Sequence, residues 1–96
     1  MRRDEALRLL GSCKADLRRF GVKSLRLFGS VARDEAAEGS DVDLLVGFDQ
    51  SPTFSNFMKL RIFLEDLLRA EVDLVTESGL RDRVRPYVEK EAVRVA

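Results

Sequence analysis

Three short runs of β-compatible residues, each set between helical patterns, constrain the fold of this chain more than any other feature. They are 24–28 (SLRLF), 41–48 (DVDLLVGF) and 71–75 (EVDLV), and each ends in or near turn-forming residues. Ahead of them, Leu7, Leu10, Leu17 and Phe20 recur at helical spacing from about Asp4 onward, with Cys13 or Lys14 completing the stripe and Gly21 placed as a stop. That predicts one amphipathic opening helix whose wet face carries Arg8, Lys14, Arg18 and Arg19. After Gly29, the segment 31–40 holds helix formers and then loop formers, so a short helix with Ser30 as its N-cap is expected. Phe57, Leu60, Leu64, Leu67 and Leu68 mark a second long helix within 53–70, with Pro52 just upstream. Leu80, Val84, Val88 and Ala92 mark a last helix interrupted or started by Pro86, and 93–95 reads as a short edge strand. The order α-β-α-β-α-β-α predicts one α/β domain over 1–96, its sheet covered by helices mainly on one face, with strand directions left open.

Size and charge then narrow the function. A chain of 96 residues has room for one core and none for a separate substrate domain, so a large acceptor must be held partly by another molecule. Lys plus Arg and Asp plus Glu number 17 each, and the isoelectric point is near 6.3, which argues against stable binding to nucleic acid through phosphate neutralisation. There is no histidine, which excludes Ser-His-Asp triads and histidine zinc sites. Cys13 is the only cysteine, so no intrachain disulfide can form, and it reads as a helix-packing residue in a reducing compartment. No apolar run of signal or membrane-spanning length opens the chain, so a cytoplasmic protein without membrane contact is expected.

The chemistry concentrates in a few positions. Asp41 and Asp43 are one residue apart on a predicted strand, so both carboxylates leave the same face while Val42, Leu44, Val46 and Phe48 line the other. Two like charges forced together call for a counter-charge, and oxygen donors without nitrogen or sulfur point to Mg²⁺. Asp73 sits in the apolar run Val72–Val75, where a carboxylate has no structural purpose. If the second and third strands are neighbours, Asp73 can share the metal or take a proton from an attacking hydroxyl. Gly29-Ser30 lies at a strand-to-helix junction, where backbone N–H groups and a hydroxyl suit a phosphate. Together these describe a nucleoside-triphosphate site. Arg33 is read equally as a phosphate contact and as a salt-bridge partner of Asp34, Glu35 or Glu38.

Gly29-Ser30, ten intervening residues, Asp41-Val42-Asp43 and the later Asp73 resemble the signature of nucleotidyltransferases related to DNA polymerase beta. The resemblance is sharpest to the minimal nucleotidyltransferases, through Gly29-Ser30-Val31-Ala32-Arg33 and Ser40-Asp41-Val42-Asp43-Leu44, and it extends from the opening helix to the closing EAVRV. One departure is Asp34, where such proteins often have Gly. The resemblance implies a nucleotidyltransferase fold with a mixed sheet, and an antitoxin that moves AMP from ATP to a tyrosine hydroxyl of a HEPN ribonuclease toxin within a hetero-oligomer. It implies Mg²⁺, with two ions expected, at Asp41, Asp43 and Asp73, and the nucleotide phosphates on Gly29, Ser30 and Arg33. Two other readings stand beside it: a transferase acting on a small molecule or a nucleic-acid end, and a binding antitoxin that neutralises its partner without catalysis.

Overall fold

A computed structural model describes residues 1–37, 39–80 and 85–95. In chain order the elements are α1 (Arg3–Gly11), α2 (Lys14–Arg19), β1 (Val22–Phe28), α3 (Gly29–Ala32), β2 (Val42–Phe48), α4 (Phe54–Leu68), β3 (Val72–Thr76), α5 (Arg85–Glu91) and β4 (Val93–Arg94). The four strands form one mixed sheet in the order β3-β2-β1-β4. Strand β1 runs antiparallel to both β2 and β4, whereas β2 and β3 are parallel. Parallel neighbours need a crossover connection, and α4 supplies it. The expected edge strand is β4, held to β1 by the register Arg26↔Arg94 and Leu27↔Val93.

One face of the sheet makes the core. Leu25 and Leu27 of β1, Val42, Leu44 and Val46 of β2, and Val72 and Leu74 of β3 pack there against Ala6, Leu10, Leu17, Leu60, Leu64 and Leu68 from α1, α2 and α4, and against Cys13 between α1 and α2. Each fully buried Leu or Val in this layer contributes roughly 1.5–3 kcal/mol. Among the described residues no helix is long and apolar enough to cross a membrane. Val84 of the expected last-helix stripe lies outside the described residues.

The opening helix departs from expectation, because it is two helices with a break at Ser12 and Cys13. The Ser12 hydroxyl donates to the Leu9 carbonyl at 2.6 Å, and the Cys13 thiol donates to that of Leu10 at 3.1 Å. Their backbone N–H groups reach the same two carbonyls, three residues back, at 3.2 Å each. Such local bonds compete with the α-helical ladder and tighten the turn, while Gly11 weakens it further. The chain restarts with Cys13 buried and Lys14 exposed, which resolves the stripe in favour of Cys13. Gly21, at φ +81°, ends α2 as expected, and its N–H donates to Arg18 O at 2.9 Å.

Helix α4 starts where Pro52 suggests. Thr53 is its N-cap, accepting the Asn56 N–H at 3.0 Å, and Arg69 closes it in the left-handed region. Near that end the Glu65 carboxylate accepts the Val72 N–H at 3.0 Å, tying α4 to the first residue of β3.

Candidate active site

The in-register parallel pairing of β2 with β3 builds the site. Asp43 stands directly beside Asp73, and on its other side Asp43 pairs with Phe28, the last residue of β1. Because Val42 and Leu44 are buried in the core, side-chain alternation sends Asp43 to the opposite face, and the same parity holds for Asp73 between Val72 and Leu74. Asp41 immediately precedes β2, on the parity of Asp43, and is exposed. Leu45, also on that face, is fully buried, so the second face is not uniformly wet.

Gly29 presses on this carboxylate. Its φ is +74°, and a Cβ placed there would collide with Asp43 Oδ2 and lie 2.9 Å from Asp43 Cγ. Only a residue without a side chain lets the β1–α3 turn approach Asp43 so closely. Ser30 is not the N-cap: Phe28 holds that position in extended conformation, and Ser30 is the second residue of α3. The cause is the left-handed Gly29, which starts the helical turn one residue earlier. Among the described residues the Ser30 hydroxyl has no hydrogen-bond partner, and no side chain caps α3.

Arg33 closes α3 and is held in ion pairs. Its Nε donates to Glu35 at 3.2 Å and its Nη1 to Glu91 of α5 at 3.0 Å. The Glu35 partner is among those expected from sequence, whereas Glu91, 58 positions away, is not. Glu38 lies outside the described residues. The hydrogen bond with Glu35, and then Glu91, raises the Arg33 pKa, so its charge is permanent. Asp34 pairs elsewhere: at φ +59° its carboxylate accepts the Arg3 N–H at 3.1 Å, on the first turn of α1.

The electrostatics converge on Asp43. Its carboxyl is pushed up to about 6, first by burial, then by the charges of Asp73 and Asp41 and a hydrogen bond with Asp73, with Arg33 acting in the opposite sense. Among the described residues, no group of three or more His, Cys, Asp or Glu side chains is arranged to hold a metal ion. The structure pairs Asp43 with Asp73 in register and brings Asp41 close enough for its charge to act on Asp43. The donor chemistry still fits a hard divalent cation, since the crowding that raises Asp43 is what such a cation relieves.

Sequence reasoning missed Phe57 and Arg61. These residues, one helical turn apart on α4, line a cleft of about 200 Å³ together with Asp41, Val72, Asp73 and Leu74. Phe57 read as core and Arg61 carried no motif; the four-residue spacing on the connecting helix was the only signal.

A glycine turn set against a carboxylate, with a second carboxylate in register on the next strand, can bring a phosphate and a divalent cation together. Residues 8–95 match the nucleotidyltransferase domain family, to which this chain belongs. Over 93 residues it is 43% identical to the protein adenylyltransferase MntA of Thermococcus cleftensis, covering 96% of this chain and 94% of that protein. The solved structure of a candidate minimal nucleotidyltransferase, 40% identical, superposes with a TM-score of 0.84 over 97% of this chain and 95% of its own. A chain in the complex of tri-AMPylated Shewanella oneidensis HEPN toxin with MNT antitoxin shares the fold at a TM-score of 0.68 and 19% identity, covering 94% of this chain and 71% of that one.

Proposed function

We propose that this protein is an antitoxin that transfers AMP from ATP to a tyrosine hydroxyl of a cognate HEPN toxin, releasing pyrophosphate, in the presence of Mg²⁺. The observation that carries this reading is the Asp43↔Asp73 register with Gly29 lodged against Asp43. Gly29 and Ser30 hold the β,γ-phosphates at the α3 turn, where an unpartnered hydroxyl stands ready. Arg33, already charged, is placed to join them by exchanging Glu91 for phosphate oxygens. Asp41 and Asp43, with Asp73, hold Mg²⁺. The chemistry that the ion supplies when bound is neutralisation of charge on the triphosphate. Asp73, on the edge strand and exposed, faces the acceptor and accepts its proton. Similarity to a protein adenylyltransferase over nearly the whole chain supports adenylyl transfer, and the fold shared with an MNT–HEPN complex supports the partner. A buried, free Cys13 accords with the cytoplasm.

The test is intact-mass spectrometry of the cognate HEPN protein after incubation with this protein, ATP and Mg²⁺. A gain in AMP units, absent with Asp43→Asn or with EDTA, is expected. Undiminished neutralisation of the toxin by Asp43→Asn, with no mass gain, overturns catalysis in favour of binding alone.

A further inference from the structure

We infer that Arg61 and Phe57 form an acceptor subsite that receives one aromatic hydroxyl side chain of a protein and holds its oxygen beside Asp73. This inference rests on the transferase reading above.

The first argument is position. Across the sheet, Gly29 follows β1, Asp43 stands on β2 and Asp73 on the edge strand β3. Phosphates on Gly29 and Ser30 therefore lie to one side of Asp43, and the side left for the attacking group is that of the β3 edge. The cleft lined by Phe57, Arg61, Asp41 and Asp73 is on that side.

The second argument is size. Pockets that enclose a free small molecule typically measure about 300–1,000 Å³. At about 200 Å³ this cleft is too small for such a ligand, and it suits one side chain presented by a larger partner. Phe57, half-buried against the core, offers a ring against which an aromatic side chain can pack.

The third argument is the guanidinium itself. Among the described residues, buried Arg61 Nε has no hydrogen-bond partner. The one ion pair of this side chain among the described residues, to Glu65, is long at 3.8 Å, and the same Glu65 oxygen already accepts the Val72 N–H at 3.0 Å. Arg61 thus shares a cleft with Asp41 and Asp73 while pairing with neither. A cation and carboxylates lining one cleft match a phenolic oxygen that loses a proton as it attacks. In that step the hydroxyl proton passes to the Asp73 carboxylate, the oxygen bonds to the α-phosphorus, and the bond from that phosphorus to the β-phosphate oxygen breaks, releasing pyrophosphate. Arg61 attracts the developing charge on the attacking oxygen.

The test uses steady-state transfer from ATP to the cognate HEPN protein, with KM for the acceptor and for ATP measured separately. Arg61→Gln is expected to lower kcat/KM for the acceptor by about tenfold to a hundredfold, the size of a lost charged hydrogen bond, with KM for ATP unchanged. Arg61→Lys should recover part of the loss, and Phe57→Leu, which keeps apolar volume, should raise the acceptor KM about two- to tenfold. Thermal unfolding of each variant at the wild-type temperature ties these losses to the subsite. Wild-type acceptor kinetics in Arg61→Gln overturn the inference and leave the transferase reading intact. A raised KM for ATP overturns it by moving Arg61 to the nucleotide side. No transfer by the wild-type protein overturns the transferase reading, and the inference falls with it.

Discussion

At Gly29, backbone conformation and site geometry make the same demand, and a pair of substitutions separates them. Gly29 and Gly21 both have left-handed φ, +74° and +81°, but only Gly29 has a neighbour where a Cβ would stand. Alanine at either position costs about 1–2 kcal/mol for forcing an L-residue into that region. Gly29→Ala must also displace the Asp43 carboxyl, so it is expected to abolish transfer, while Gly21→Ala loses similar stability and keeps its activity. Urea unfolding and initial rates of the two variants check this. Asp43 gives a second residue-scale prediction. Its folded-state value of about 6 lies above that of an unfolded aspartate, so its protonated form favours folding. The contribution is complete below about pH 4 and is lost as pH rises through about 6, amounting to about 1 kcal/mol after allowance for water reaching a half-exposed carboxyl. In EDTA, the wild-type protein should therefore lose stability between pH 4 and 7, and Asp43→Asn should lack that loss and be the more stable of the two at pH 7.5. Denaturant midpoints across that range test it.

Among the elements, α3 is too short to hold its own shape and is fixed by what surrounds it. Asp34 accepts the first N–H of α1, and Arg3 Nη1 reaches the Ala32 carbonyl at 3.5 Å. Arg33 ties the same turn to α5. Asp34 combines a left-handed backbone with this capping bond, so its two substitutions should diverge. Asp34→Ala keeps the backbone cost and loses the bond, for a destabilisation of about 1–2 kcal/mol, whereas Asp34→Gly loses the bond and relieves the backbone, staying within about 0.5 kcal/mol of wild type. Equilibrium unfolding distinguishes them. The same contacts explain what could be read in the sequence. The strands, the long α4 with its Thr53 start and the β4 edge follow from apolar periodicity and turn residues, which are local. Gly29 was legible from its place at the end of a strand and Asp43 from strand parity, while Asp73 joined them once β2 and β3 proved to be neighbours. The break at Ser12 and Cys13 was not, since it depends on a hydroxyl and a thiol bonding back to the preceding turn. Glu91 beside Arg33 and Arg61 beside Asp73 were hidden for another reason: only tertiary packing decides which distant elements meet.

The whole molecule measures 32 × 31 × 19 Å, a slab in which one layer of helices covers one layer of sheet. A slab this thin cannot surround a substrate, and Asp41 and Asp73 remain exposed on it. Closing the site then falls to whatever binds there, and ligands should contribute a large share of stability. A ligand at a hundred times its Kd adds about 2.7 kcal/mol to the folded state. In a domain of this size that corresponds to a rise in Tm of about 10–20 °C. Wild-type protein with saturating Mg²⁺ and ATP is expected to show such a rise, which differential scanning fluorimetry can follow. EDTA should remove most of it, because the carboxylates then repel the triphosphate they must sit beside. Asp43→Asn begins from a higher ligand-free Tm at neutral pH and should gain little from Mg²⁺ and ATP. The order of the two melting temperatures therefore reverses on adding ligand, as expected of a carboxylate retained for binding at a cost to the free protein's stability. A gain in Asp43→Asn equal to that of wild type would place the nucleotide's metal away from β2.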